Sequence, residues 1–319
     1  MKFRLPPGTF PELELANEDM DNMENVAAMI VDSTIEDFER LRLNDNGLTD
    51  KRWKPLKRKA GVMLYEDRSM RESLKRESSL SDAPSRIHPL MAVGTTRGEL
   101  NELMFGLLNP TREEMLAKSA CTGDYLTDCA ELASIISPTP SDPLRYPIYT
   151  SIVMTQIADA LLSFQRLLLN ARMKKLAWML NHNQRQSLDT SKKPNNECSS
   201  CGCSVGRSIL SGRRQCTLCS SVVCPQCRVP LKVARDVPNM FTKEKKAAPK
   251  TRYEKTTVCR PCLREVDRTD ALDVAIDEIR RASPLLAAES GLAVTSASSL
   301  FSLINSDQFD RDFFFHSYQ

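Results

Sequence analysis

The sequence predicts an α+β chain: a half built of helices and antiparallel sheet, then a small cysteine-built module, then a C-terminal helix. Three observations carry this. Apolar residues recur at helical spacing over 18–43 and over 151–183. Short apolar runs at 53–56, 62–65 and 89–96, bounded by turn residues, read as strands. Four Cys-x-x-Cys pairs fall between residues 198 and 262.

In order along the chain, a Pro-rich lead is followed by an acidic amphipathic helix over 18–43. Met23, Val26, Ala27, Ile30, Ile35, Phe38 and Leu41 form its stripe, and 44–47 end it. The runs 53–56 and 62–65 pair around Gly61. Residues 68–84 are polar and rich in Ser, Arg and Glu, and read as a loop. A strand over 89–96 leads into a helix over 97–108, with Leu100, Leu103, Met104 and Leu107 on one face. A short helix over 111–119, a strand over 130–136 and a Pro-rich break at 137–143 follow. The helix over 151–183 carries Ile157, Leu161, Phe164, Leu168 and Ala171 in one stripe. Its last part holds Arg172, Lys174 and Lys175, which complement the helix dipole. Residues 184–197 read as a linker. Past the cysteines, Leu263, Val266, Leu272, Ile276 and Ile279 predict a helix to about residue 282, and 284–319 reads as a mostly disordered tail ending in the aromatic run 313–315.

The cysteine pairs are Cys198/Cys201, Cys216/Cys219, Cys224/Cys227 and Cys259/Cys262. A Cys-x-x-Cys turn brings two thiolates to one ion, and two such turns complete a tetrahedral site, so eight thiolates imply two structural Zn2+. Gaps of 14, 4 and 31 residues separate successive pairs. The four-residue gap suits an interleaved pairing, first with third and second with fourth, better than two sequential ribbons. Cys203 is a ninth cysteine of this stretch, but Cys198 and Cys201 have the better ligand spacing. Cys121 and Cys129 read as small core residues.

The chain has 319 residues, 41 % hydrophobic and 27 % charged, with a net charge of +3 that conceals an asymmetry. Residues 1–50 hold 4 basic and 12 acidic side chains, whereas 198–262 hold 13 basic and 3 acidic. With eight thiolates and two Zn2+ counted, the second segment stays basic and suited to an anionic surface. No signal-peptide pattern and no transmembrane run is visible, so a cytoplasmic location is expected, and cysteines in that setting point to metal rather than disulfides.

At these cysteines the sequence resembles a FYVE-type finger, a cross-brace module that recruits proteins to endosomal membranes by recognising phosphatidylinositol 3-phosphate. The shared features are the eight cysteines, the four-residue gap and the basic run Arg213-Arg214 before Cys216, preceded by Ile209 and Leu210. The resemblance implies that Ile209 and Leu210 enter the bilayer while Arg213 and Arg214 hold phosphate. The chain lacks the family's paired histidines before the second cysteine pair and its Trp-x-x-Asp element, and Thr257-Val258 precede Cys259 where the family has arginine. The zinc framework carries over; the lipid-reading residues do not. The segment between the third and fourth pairs offers Lys243, Lys245, Lys246, Lys250 and Arg252 for general anion attraction.

Residues 20–183 are similar to part of a START-type lipid-transfer domain. The similarity rests on the runs at 53–56 and 62–65, the strand and helix over 92–108 and the closing helix 157–180, with much of that family's sheet missing between Tyr146 and the helix. The predicted organisation is therefore a shortened START-like domain over 1–183, a linker at 184–197, the double zinc finger at 198–262, a helix at 263–283 and a tail at 284–319.

No dinucleotide-binding, P-loop or nucleophile-elbow glycine pattern occurs, and His88, His182 and His316 lie far apart. Closed four-cysteine sites leave no open metal position. The expectation is a non-enzymatic adaptor peripheral on endosomal membranes, whose partner is an anionic phospholipid surface or a protein. The alternatives are a RING-like ubiquitin-ligase module, disfavoured by the lack of a histidine among the ligands, and a nucleic-acid-binding finger, disfavoured by the scarcity of stacking aromatics.

Overall fold

The computed structural model describes residues 9–11, 13–43, 52–68, 90–96, 98–124, 126, 128–145, 149–154, 161–186, 197–205, 214–235, 252–282 and 312–317. It is an α+β arrangement of helices and antiparallel sheets.

Helix α1 (Asn17–Leu43) opens the chain. Strands β1 (Trp53–Lys59) and β2 (Val62–Asp67) form a hairpin in which Lys59 faces Val62 across a two-residue turn. Both turn residues take positive φ, Ala60 at 49° and Gly61 at 84°, the geometry whose twist matches that of the flanking strands. Arg52 ties the hairpin to α1, reaching Asp67 at 2.9 Å and Asp37 at 3.1 Å. Strand β3 (Leu90–Thr95) adds to β2, antiparallel. Val62, Leu64, Leu90 and Ala92 are buried with Leu162. Gly94 is required here: a Cβ on it would stand 2.9 Å from the Cα of Val62.

Helix α2 (Leu100–Leu107) and helix α3 (Arg112–Thr122) follow. Thr111 and Glu114 cap α3 reciprocally, and Gly123 ends it in the left-handed conformation (φ 64°). Strands β4 (Asp128–Ser134) and β5 (Tyr149–Met154) form a separate antiparallel ribbon. The helix expected over 151–183 therefore starts later. Its first four residues lie in β5, and after a short 3-10 turn at Phe164–Arg166 the continuous helix is α4 (Leu167–Gln186). Ile152 and Val153 are β-branched and suit the strand they occupy.

Helix α4 is central to the packing of the molecule. On one side it meets α2 so closely that the Cα of Gly106 sits against the backbone of Leu167, and Asn170 donates to the Gly106 carbonyl at 2.8 Å. Lys175, 2 % exposed, pairs with Glu102 of α2 at 2.6 Å. On another side Met173, Leu176 and Leu180 share one core with Cys198, Cys216, Cys224 and Cys259. The predicted boundary at 183/184 falls inside α4, whose apolar face is part of the cysteine module's core.

The module contains two short strands, β6 (Arg214–Gln215) and β7 (Val222–Val223), paired antiparallel, and a longer ribbon, β8 (Arg228–Arg235) with β9 (Arg252–Cys259). Two helices follow where one was expected: α5 (Arg260–Arg268) and α6 (Ala271–Ala282). The break falls at Thr269, which is extended, and Asp270 caps the new helix by accepting from the Leu272 N–H at 2.8 Å. Within the expected disordered tail, Asp312–Ser317 forms β10, which pairs antiparallel with β3 and completes the sheet order β1-β2-β3-β10.

Candidate metal centre

Each half of the module starts from a tight cysteine turn. In the first, the Gly202 N–H donates to the Cys198 carbonyl at 2.8 Å and the Cys198 N–H to the Cys203 carbonyl at 2.8 Å. In the second, the Ser220 N–H donates to Cys216 at 2.8 Å and the Cys216 N–H to Ser221 at 2.9 Å. Each turn needs a left-handed residue after its second cysteine, supplied by Gly202 (φ 73°) and Ser220 (φ 58°). Both turns thus hold the side chains of a Cys-x-x-Cys pair on the same side.

The remaining strands bring the other pairs to these turns. The Ser199 N–H donates to the Val222 carbonyl at 3.0 Å, which fixes the first turn beside β7, and Cys224 follows β7 directly. Thr217 donates its N–H to the Thr257 carbonyl at 2.8 Å, which fixes the second turn beside β9, and β9 ends at Cys259. The first turn therefore meets the third pair and the second turn meets the fourth. Two groups of four sulfurs result, each within 4.8 Å of one another: Cys198, Cys201, Cys203 and Cys224, and Cys216, Cys219, Cys259 and Cys262.

The second group is the predicted set. In the first group Cys203 stands where Cys227 was expected. Cys227 is held beside this group by its N–H, which donates to the Cys224 carbonyl at 3.1 Å, but its sulfur falls outside the set of four. The spacing Cys-x-x-Cys-Gly-Cys already signalled Cys203, because the turn that presents Cys201 folds back at Gly202 and returns the chain beside Cys198. Ile209, Leu210 and Arg213 lie outside the described residues. Arg214 begins β6, its backbone facing Val223, and its side chain is not described. Lys243, Lys245, Lys246 and Lys250 also lie outside them.

The donor chemistry suits a divalent ion. The Cys224 N–H points at the Cys198 sulfur at 3.4 Å, the Cys259 N–H at the Cys216 sulfur at 3.3 Å, and the Cys262 N–H at the Cys259 sulfur at 3.5 Å. Such bonds favour thiolate over thiol. Cys259 also caps α5, so the positive end of that helix faces its sulfur. Burial raises the Cys198 thiol, but the N–H groups of Cys224, Ser200 and Cys201 outweigh it and set it at about 6. In the second group the hydrogen bond from Cys216 pulls Cys219 down to about 4, while burial and then Cys259 push Cys262 up to about 12. Thiolates so crowded hold protons against one another, and a bound dication removes that conflict.

The buried sulfurs Cys198, Cys216, Cys224 and Cys259 face Val223, Val233, Val258 and Val266 from the module and Met173, Leu176 and Leu180 from α4. The other ligand cysteines lie nearer the surface, Cys201 and Cys219 being exposed. Both groups are closed sets of four sulfurs, which can hold an ion and offer it no open position. Among the described residues no helix is long and apolar enough to cross a membrane. No protein-family model matches this chain, and neither does any curated protein or solved structure.

Proposed function

We propose that the chain is a non-enzymatic adaptor: a FYVE-like double finger braced by two structural Zn2+, docking on an anionic phospholipid surface such as the endosomal membrane, and joined to a shortened START-like half. Zinc is the ion this all-thiolate, four-cornered donor set suits, and it braces a small module whose apolar core is shared with α4. The START-like part of the reading is supported by the antiparallel strands β1–β3 with α4 beyond them.

One observation carries the docking surface. In the β8–β9 ribbon Lys232 stands directly opposite Lys255, and both are exposed. Like charges facing each other across strands cost stability. An anionic surface lying on this face relieves that repulsion. Tyr253 is beside them, with the Lys232 ammonium 5.0 Å from its ring centre, and its hydroxyl donates to the Leu116 carbonyl of α3 at 3.5 Å, which holds the ring at the edge of this face. The edge at Ile209, Leu210, Arg213 and Arg214 belongs to the same proposal as the apolar, membrane-entering part.

The test is flotation of the zinc-loaded full chain with vesicles containing phosphatidylinositol 3-phosphate, its isomers, or phosphatidylserine at matched charge. Binding is expected, and Lys232→Glu with Lys255→Glu abolishes it. Ile209→Asp with Leu210→Asp weakens it. Flotation untouched by the charge reversal overturns the assignment of this face, and no flotation with any anionic vesicle turns the reading to a protein partner.

A further inference from the structure

The two cysteine turns are backbone copies, and the difference that bears on the sulfurs is at their last position. Cys198, Cys201, Gly202 and Cys203 correspond to Cys216, Cys219, Ser220 and Ser221, with the same pair of hydrogen bonds and the same left-handed residue. The residue that brings the chain back is thus Cys203 in the first turn and Ser221 in the second. The Ser221 hydroxyl turns to the Cys219 carbonyl at 3.4 Å. The Cys203 thiol instead lies 3.4 Å from the Cys201 sulfur and belongs to the tight group of four. Cys201 in turn is 3.8 Å from Cys224. Cys227 is tied to Cys224 by the Cys-x-x-Cys spacing and by its N–H, which donates to the Cys224 carbonyl at 3.1 Å. Four sulfurs therefore form the tight group and a fifth, on the turn that starts at Cys224, is held beside it, whereas a tetrahedral ion takes four.

The geometry points to a first centre in which Cys203 and Cys227 share one coordination position. Cys198, Cys201 and Cys224 are common to both ligand sets, and the displaced thiol makes this centre, and not the second, the one that opens on oxidation. The inference rests on the two zinc-loaded centres proposed above. Cys203 is exposed, so a small oxidant reaches it.

The chemistry with a hydroperoxide as oxidant balances as follows. The displaced Cys203 thiol gives up its proton as its sulfur attacks the O–O bond, takes one oxygen as a sulfenic acid and releases the other as an alcohol, or as water from hydrogen peroxide. The Cys201 thiolate then attacks that sulfur, the S–S bond forms, and the oxygen leaves as hydroxide. The two sulfurs lose two electrons and the peroxide gains them. The centre is left with Cys198, Cys224 and Cys227, one ligand short. Ser221 gives the second centre no equivalent route.

The test uses the full chain loaded with zinc. Metal analysis is expected to find two zinc ions per chain in the wild type, in Cys203→Ser and in Cys227→Ser, and one in the double variant. Cys203→Ser copies the second turn, so it keeps the fold. A readout that does not depend on the double variant folding is alkylation by iodoacetamide mapped by peptide. Cys203 is labelled in the wild type and protected in Cys227→Ser, where it must serve as ligand. Limiting hydrogen peroxide releases one of the two zinc ions from the wild type at least tenfold faster than from Cys203→Ser. Loss of a zinc in either single variant, Cys203 labelling unchanged in Cys227→Ser, or equal release rates overturns the inference while the two-zinc reading stands. A wild-type chain that holds no zinc overturns both.

Discussion

Replacing Lys175 by methionine tests whether α4 joins the metal module to the rest of the molecule. Lys175 is 2 % exposed and its ammonium has three partners on two other helices. It pairs with Glu102 of α2 at 2.6 Å and donates to the carbonyls of Thr269 at 2.9 Å and Asp267 at 3.4 Å, at the end of α5. Methionine keeps the alkyl volume and removes the charge. Removing one partner of a buried ion pair costs about 3–5 kcal/mol, because the other is left uncompensated. The Glu102 side chain is 21 % exposed, so it regains some water, which places the loss near the lower end, about 3 kcal/mol. That is a large share of a domain stability of roughly 5–15 kcal/mol. The assay is urea unfolding at a fixed zinc concentration, followed by the fluorescence of Trp178, which lies on α4 and donates to Asp277 of α6 at 2.6 Å. Glu102→Leu added to Lys175→Met recovers much of the loss, since the carboxylate is no longer stranded. Cys259 caps α5 and Cys262 lies in its first turn, so the variant also weakens zinc at the second centre more than at the first. A loss below 1 kcal/mol, or a double variant that loses the sum of the two singles, refutes the reasoning.

Three other outcomes follow from the packing and the sulfur sets. Gly106→Ala destabilises the chain by about 1–3 kcal/mol in the same unfolding assay, because its Cβ would enter the backbone of Leu167 and force α2 off α4. Cys216→Ser and Cys224→Ser each remove a buried ligand of a different centre; each loses one zinc by metal analysis and the native amide dispersion of the module, and a chelator reproduces both losses in the wild type. Glu278 lines a small cleft with Glu114 and Lys174. Its carboxyl is raised to about 7 by burial, with Lys174 opposing and Glu114 and Asp277 adding to the rise. The folded state therefore favours its protonated form: its contribution is fully present below the unfolded carboxyl range and is lost as pH rises through about 7. Glu278→Gln should raise the melting temperature relative to wild type at pH 8 and lose that advantage at pH 5; parallel curves across this range would show that the carboxyl is not held protonated.

The parts of the fold set by neighbouring residues were legible in the sequence. The hairpin reads from the strand pair around Gly61, the crossed cysteine pairing reads from the four-residue gap between Cys219 and Cys224, and the short helix over 111–119 is α3. Misreadings arose where one pattern served two periods. Ile152, Val153, Ile157 and Leu161 fit a helix stripe as well as a strand followed by a helix, so the start of α4 was placed too early. The split between α5 and α6 had a local signal in Thr269-Asp270, a helix-stop and cap pair that a continuous apolar stripe masked. Strand β8 carries an alternation at Val229, Leu231 and Val233, although no strand is expected there from the sequence. The pairing of β10 with β3 joins residues more than two hundred positions apart, and nothing local at Phe313–Phe315 names that partner. At the candidate site, the second sulfur group gathers the four cysteines that spacing pairs, whereas pair spacing alone does not show Cys203, because it ignores the return of the chain after Gly202.

The apolar face of α4 has a consequence for the order in which the protein is made. Met173, Leu176 and Leu180 leave the ribosome before any cysteine of the module. The first sulfur set is complete once Cys227 has been added, whereas the second waits for Cys262, roughly 80 residues after Leu180, or about 4–16 s at ~5–20 residues per second. During that interval the helix has no complete core to cover it. On the two-zinc reading proposed above, the first centre loads its ion while the second is still being synthesised, so metal entering early gives the helix its first packing surface, and a shortage of it prolongs the time in which that surface meets other chains instead.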